Sequence, residues 1–208
     1  MKDAEKFTNL VIGNGEDGKF LAWYLAQSGQ KTAMVVQHRH CDPIGDMPHR
    51  FDEFNVAVDF GMMRMQHDEL KASGAELFIG KPRFAGYMVV DVRLCDGSVR
   101  TLTAERIFLN LGAIGRVPNT SGMGLELAGI ELDSHGYVQV NDRLETTSPN
   151  IWAIGQCASR PQFNYACLDD LQIICGNLGN AHRPADRLGK AIWRRGRDIE
   201  IGHPVAVA

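Results

Sequence analysis

The sequence has no stretch of about 18 consecutive apolar residues, the length that a membrane-spanning helix requires. An excess of one charge is also missing, because a formal net charge of -3 over 208 residues gives no field that would attract nucleic acid or an anionic membrane. The N-terminal residues are mostly charged and lack the apolar core of a signal peptide, so we expect a cytoplasmic protein. The composition is otherwise that of an ordinary folded domain, with 44% hydrophobic and 23% charged residues.

Cysteine is sparse, with five residues and no CxxC pair. An odd count without that spacing excludes the framework of a secreted disulfide-rich domain and the ligand set of a zinc ribbon. We therefore expect most of these thiols to be reduced and to pack as small apolar side chains. His38, His40, Cys41 and His49 are close in sequence, but their spacing matches no closed zinc motif, and we predict no metal site.

The beginning of the chain has the pattern of one βαβ unit. Residues 7–12 and 31–36 are apolar runs typical of buried strands, and residues 20–26 have apolar positions three and four apart, as in a helix. The unit takes about thirty residues, so its two strands should be parallel and joined by a right-handed crossover. The sequence therefore predicts an α/β fold with a parallel sheet and helices.

A different pattern follows in the middle of the chain. Residues 87–94, 99–103 and 106–110 alternate or run apolar, and Asp96-Gly97 lies between the first two. An Asp-Gly pair between such runs is a strong hairpin signal, so we expect a small antiparallel β-meander beside the parallel sheet. Residues 115–119 are expected to be irregular. The other predicted elements are helices at 53–73, 125–130 and 165–178 and strands at 77–79, 136–140 and 151–155.

The loop Gly13-Asn14-Gly15-Glu16-Asp17-Gly18 stands directly after the first strand and opens the helix, which is the context of a dinucleotide-binding GxGxxG motif. Gly13 permits the tight turn, Gly15 lets the backbone approach a pyrophosphate, and Gly18 lets the helix pack against the strand. The helix N-terminus then offers N–H groups and a positive dipole end to the phosphates. The alternative is a tight βα turn that binds no ligand.

The residue at the end of the second strand bears on which dinucleotide the site binds. A dinucleotide fold normally has an acid there to hold the ribose hydroxyls, whereas this chain has Gln37. Glutamine can still bond a hydroxyl, but the bond is weaker by about 1 kcal/mol than one to a carboxylate. Loss of the carboxylate also removes repulsion against the 2′-phosphate of NADP, so a nicotinamide cofactor stays open at this point.

Two blocks of sequence resemble the pyridine nucleotide-disulfide oxidoreductase family, especially its mercuric reductase and dihydrolipoamide dehydrogenase branch. The first is residues 11–23, and the second runs from residue 115 to residue 163, with Gly115-Arg116-Val117-Pro118-Asn119 at its beginning. Shorter stretches at 80–84 and 108–113 are also similar, so that the resemblance covers roughly residues 7–179. It implies a Rossmann-like FAD-binding domain, with FAD rather than NAD at the glycine loop.

The resemblance also assigns roles. Gly155-Gln156 stands where the family has Gly-Asp, whose carboxylate holds the flavin ribityl chain, and residues 164–166 open a helix that would face the flavin pyrimidine edge. Arg83 and Phe84 lie where the family's backbone contacts adenine. The predicted cofactor-binding residues are Gly13, Gly15, Glu16, Asp17, Gly18, Gln37, Arg83, Phe84, Gly112, Gly155, Gln156, Tyr165 and Ala166.

Several family features are missing. The redox pair CxxxxC is absent, because only Cys41 follows the second strand, and no NAD(P) fingerprint lies between Gly112 and Arg116. We therefore expect one FAD-binding domain over residues 1–180, made of segments 1–112 and 115–180 joined directly, and a basic tail at 181–208. The family's dimerisation domain is also expected to be absent.

The function that this pattern indicates is an FAD-binding oxidoreductase-type flavoprotein domain, served by a separate electron donor or partner protein. Disulfide or mercuric reduction is not expected, and no catalytic residue is predicted. Two alternatives remain open. One is a non-enzymatic remnant or interaction module, since Gln37 and Gln156 together cost about 2 kcal/mol of cofactor binding. The other is an NAD(P)-binding domain.

Overall fold

The computed structural model describes residues 4–37, 67–114, 117–158 and 166–178. Strands β1 (Glu5–Gly13) and β2 (Thr32–Val36) pair in parallel, and helix α1 (Glu16–Gln27) connects them. The predicted βαβ unit is thereby confirmed. The helix begins earlier than its apolar period indicates, because its first turn is polar and contains Gly18, so that the apolar spacing starts only at Phe20.

The antiparallel part of the sheet consists of strands β3 (Glu76–Gly86), β4 (Val89–Leu94) and β5 (Val99–Asn110). The beginning of β3 pairs in parallel with β2, and the rest of β3 pairs antiparallel with β4. Likewise, β5 pairs antiparallel with β4 at its beginning and in parallel with β1 over the rest. The pairings β1–β2–β3–β4–β5–β1 therefore form a closed circuit. The two strands predicted at 99–103 and 106–110 are one strand, because it changes partner without a break.

Shorter elements complete the described part of the chain. Residues 115–119 were expected to be irregular, but strand β7 (Val117–Pro118) lies within them and pairs with strand β6 (Ala113–Ile114). Strand β8 (Ile151–Ala153) adds to β5 in parallel. The remaining elements are helix α2 (His67–Ala72), a 3-10 helix at Leu125–Ala128, a 3-10 turn at Gly155–Cys157 and helix α3 (Ala166–Leu178). Residues 53–66 of the helix predicted at 53–73 lie outside the described residues.

Two apolar cores lie on opposite faces of the central strands. In β1, Leu10 and Ile12 belong to one core and Val11 to the other, as the alternation of a strand requires. The first core is closed by the meander, with Phe84 and Val92 among its members. The second is closed by helices α1 and α3, through the buried residues Leu21, Ala22, Leu25, Leu171, Ile173 and Ile174. Because both faces of the central strands are covered, they read as continuous apolar runs.

The strand predicted at 136–140 is wrong. Val138 and Val140 form only isolated bridges, with partners in short neighbouring segments. The cause is the polar turns on either side. The Asp133 carboxylate accepts the N–H groups of His135 and Tyr137, and the Asn141 amide oxygen accepts two further N–H groups. These Asx turns bend the backbone before a longer ladder can form.

Candidate functional site

The glycine loop joins the end of β1 to the start of α1, as predicted. Gly13 is the last residue of β1 and has φ 138°, a conformation that a residue with a side chain rarely adopts. Gly15 is the N-cap of α1 with φ −71° and ψ 152°, and as a glycine it supplies no capping side chain. Gly18 is buried in the first turn of α1, which begins with Glu16 and Asp17.

Asn110 is the residue at this site that sequence reasoning missed. It is the last residue of β5, lies opposite Gly13 in the parallel ladder and is 3% exposed. Its Oδ1 accepts the N–H of Gly18 at 3.1 Å, and its Nδ2 donates to the carbonyl of Ile154 at 3.3 Å. The signal in the sequence was a single amide within the apolar run 107–111, since a buried polar group needs partners.

The turn after β8 reaches the same place from the other side. Gly155 is buried with φ 73°, and its N–H donates to Oδ2 of Asp170, a buried carboxylate on α3, at 2.9 Å. A Cβ at Gly155 would lie 2.6 Å from Asn110 Nδ2 and 3.4 Å from Asp17 Oδ2. The structure thus gathers the predicted residues Gly13, Gly15, Asp17, Gly18 and Gly155 around Asn110, with Asp170 behind the turn.

Gln37 and Gln156 lie at the same edge of the sheet. The registers of β1 with β2 and β5, and of β5 with β8, place the carboxyl ends of these four strands side by side. Gln37 directly follows β2, and Gln156 follows Gly155, and both are exposed. The carboxyl edge of a parallel sheet is where α/β folds bind their ligands. Both glutamines therefore lie at this edge, although the described contacts do not join Gln37 to the glycine loop, and their binding of a cofactor stays a prediction.

Arg83 and Phe84 lie apart from this edge, in the antiparallel half of β3. Phe84 is fully buried in the core, and its N–H donates to the carbonyl of Met123 at 2.7 Å. Gly124 lies so close to the Phe84 carbonyl that a Cβ on Gly124 would be 2.6 Å from the carbonyl oxygen. Arg83 is exposed. The Phe84 N–H is thus already committed within the protein, and the predicted contact with adenine stays a prediction.

The other predicted residues lie at chain turns. Gly112 is exposed, and its carbonyl accepts the N–H of Asn119 at 2.9 Å. Ala166 is the first residue of α3, as expected, whereas Tyr165 lies outside the described residues. Their contacts to a cofactor remain predictions.

The cysteines whose side chains are described differ in state. Cys157 is buried beneath the site, and Cys175 is half-buried on α3; both are reduced thiols, as expected. Cys95, which directly follows β4 and is exposed, is disulfide-bonded. The histidine and cysteine cluster at 38–49 lies outside the described residues. Within the described side chains, no group of three or more His, Cys, Asp or Glu could hold a metal ion.

The side chains of Asp96 and Arg100, at the far end of the meander, have shifted pKa values. A hydrogen bond from the Ser98 side chain lowers the pKa of the Asp96 carboxyl, and the Glu5 carboxylate raises the pKa of the Arg100 guanidinium. Both groups are exposed, and the Arg100 Nε–Glu5 Oε1 distance is 2.6 Å. These shifts therefore describe surface pairs and not the candidate site. None of the described helices is long and apolar enough to cross a membrane.

A family model described as pyridine nucleotide-disulphide oxidoreductase matches residues 10–170. A dihydrolipoyl dehydrogenase of Thermus scotoductus is 43% identical over 169 residues, which cover 81% of this chain and 34% of the relative. A mercuric reductase of Acidithiobacillus ferrooxidans is 44% identical over 64 residues, or 31% of this chain and 11% of the relative. The chain spans about a third of the length of this dihydrolipoyl dehydrogenase and of one from Trypanosoma brucei brucei.

Solved structures share the fold. The copper(II) complex of a mutant form of the flavoprotein disulfide reductase RclA from Escherichia coli superposes with a TM-score of 0.64. The superposition covers 87% of this chain and 73% of that chain at 15% sequence identity. At that identity the likeness concerns the fold, a mixed sheet with helices of the Rossmann-like α/β type.

Proposed function

Because the chain belongs to the pyridine nucleotide-disulphide oxidoreductase family, a flavoprotein oxidoreductase lineage, we propose that residues 1–180 form an FAD-binding domain. In this proposal segments 1–112 and 115–180 join directly, and residues 181–208 form a separate basic tail. The match covers 34% of the dihydrolipoyl dehydrogenase and 11% of the mercuric reductase named above, so the activities of these enzymes are not carried over.

One observation carries the proposal. The glycine loop, the end of β2 and the turn after β8 are far apart in sequence, yet they meet at the carboxyl edge of the parallel strands. This edge combines a helix N-terminus, at which the N-cap residue Gly15 supplies no capping side chain, with exposed amide side chains at Gln37 and Gln156. Such a donor set fits a pyrophosphate flanked by sugar and ribityl hydroxyls.

The proposed contact of each residue with FAD follows from its position at this edge. The first turn of α1 would receive the pyrophosphate, Gln37 the ribose hydroxyls, and Gln156 the ribityl chain. The start of α3 at Ala166 would face the flavin, where its positive dipole end favours negative charge. FAD would supply the electron-transfer chemistry, while the protein positions and tunes it.

The proposed domain depends on a separate electron donor or partner protein. The chain has no CxxxxC pair after β2 and no second glycine fingerprint between Gly112 and Arg116. A thiol relay needs a thiolate that attacks a disulfide, so disulfide and mercuric reduction are not proposed.

An empty or weakened site is the second candidate, and Asn110 favours it. Its Oδ1 already accepts the Gly18 N–H, one of the donors that a helix N-terminus would otherwise offer to phosphate. In that case the chain would be an interaction module that keeps the fold without the cofactor. An NAD(P)-binding domain is distinguished by the same experiment.

The experiment is a ligand titration of the purified chain. FAD and NADP are added separately, and flavin fluorescence and the melting temperature are followed. At a hundred times its Kd, FAD should stabilise the fold by about 2.7 kcal/mol, which raises the Tm by roughly 5–10 °C. A Tm that does not change when FAD is added would contradict the proposal and favour the interaction module without a cofactor. A shift with NADP alone would favour a nicotinamide cofactor.

A further inference from the structure

A single buried amide stands at the centre of the candidate site. Asn110 Oδ1 accepts the Gly18 N–H from the glycine loop, while Asn110 Nδ2 donates to the Ile154 carbonyl beside the turn after β8. The loop and the turn are two of the segments that the proposed FAD site uses. Because both hydrogen bonds come from one planar group, they fix the loop and the turn at one spacing.

The same side chain explains why position 15 is a glycine. The backbone of Gly15 has φ −71° and ψ 152°, an extended conformation that any residue adopts. A Cβ on Gly15 would nevertheless lie closer than 3.0 Å to Asn110 Oδ1, and a Cβ on Gly18 would lie 2.7 Å from it. The obstacle at both positions is therefore the Asn110 side chain and not the backbone conformation.

Gly13 is a different case. It has φ 138°, and its Cβ would collide with the backbone carbonyl of Asn110, which no substitution at position 110 removes. The three glycines of one motif are thus needed for two separate reasons. The contact at Gly15 involves only the amide of Asn110 and so depends on which side chain stands at position 110, whereas a Cβ on Gly18 would also lie 2.9 Å from the Asn110 Cβ.

We infer that Asn110 is a positioning residue: the glycine loop packs against its amide, and this amide sets the spacing of loop and turn that FAD binding requires. The inference about cofactor affinity rests on the proposed function. The inference about packing does not, since it follows from the contacts of the protein with itself. The two parts can therefore be measured separately.

The packing is tested by a double-mutant cycle of Gly15→Ala, Asn110→Ala and the double variant, with melting temperatures measured without ligand. Gly15→Ala alone should lower the Tm by about 5 °C, because its methyl group overpacks the amide. In the Asn110→Ala background the same change should have almost no effect, because the clash is gone. An equal loss in both backgrounds would overturn the inference. If Asn110→Ala does not fold, Asn110→Ser replaces it in the cycle.

The effect on the cofactor is tested by the Kd for FAD in the folded variants. Asn110→Ala should weaken binding about tenfold, since both tethers are lost. Asn110→Asp can still accept from Gly18 but cannot donate to Ile154, and it places a charge near the pyrophosphate, so binding should fall further. A folded Asn110→Ala variant with the wild-type Kd would overturn the positioning role. If the wild-type protein does not bind FAD, the proposed function is contradicted. The double-mutant cycle without ligand would still show whether the glycine loop packs against the Asn110 amide.

Discussion

The carboxyl edge of the parallel strands and the turn at the far end of the meander hold their backbone by opposite means. At the turn, Asp96 Oδ1 accepts the N–H and the hydroxyl of Ser98, only two residues along the chain. At the edge, Asn110 accepts the N–H of Gly18, 92 residues away. The turn is therefore encoded locally, whereas the edge exists only after distant strands have paired.

The largest difference in unfolding free energy should appear when one methyl group is added to a glycine at the carboxyl edge and, for comparison, to one at the meander turn. Gly13→Ala forces φ 138° on a residue with a Cβ and drives that Cβ into the Asn110 carbonyl, so we expect a loss of about 3–5 kcal/mol. Gly97→Ala meets nothing within 4 Å at φ 83°, so only the left-handed conformation costs, about 1–2 kcal/mol. Urea unfolding of both variants measures the difference. Equal losses would mean that the edge is no more tightly packed than the turn.

A smaller effect should follow from removing the carboxylate behind the site. Asp170→Ala leaves the buried Gly155 N–H without its acceptor, which should cost about 1–3 kcal/mol. Asp170→Asn keeps an oxygen in place and serves as the matched control, with most of the stability retained. Urea unfolding again gives the values. If alanine and asparagine behave alike, the hydrogen bond to Gly155 is not the source of the stability.

At the surface of the edge we expect a change in affinity and not in stability. Gln37→Glu restores a charged acceptor for ribose hydroxyls and should tighten FAD binding about fivefold, while it repels the 2′-phosphate of NADP. Gln172→Glu on the exposed face of α3 is the control for the added charge. Fluorescence titration gives both constants. Equal tightening by the control would assign the effect to net charge.

The smallest effect should be the pH dependence of the meander turn. Bonds from Ser98 lower the pKa of Asp96 below its ordinary value of 3.8, so the charged form stabilises the folded state. This stability is present above the unfolded-state pKa and is lost as the pH falls through the lowered folded-state pKa. The difference in Tm between wild type and Asp96→Asn should thus be constant from pH 7 to about pH 5 and shrink below about pH 4. A difference that changes around neutral pH would point to another group.

The parts of the fold that were predictable are those whose signal is local. The apolar run, glycine loop and helical spacing of residues 7–36 predicted β1, α1 and β2, and Asp96-Gly97 predicted the hairpin of β4 and β5. The strand at 136–140 failed because polar turns at Asp133 and Asn141 interrupt its pairing. The role of Asn110 could not be predicted, since its partners lie 92 and 44 residues away.

The closed circuit of strands also bears on how the chain acquires its structure over time. β1 pairs with β2 soon after synthesis, but its other edge is completed only by β5, with Glu5 opposite Leu102. Until residue 110 has left the ribosome, one side of β1 carries unpaired backbone groups, which can pair with another chain. We therefore expect slow folding, and aggregation of incomplete chains, from a sheet in which β1 is paired on both edges once folded.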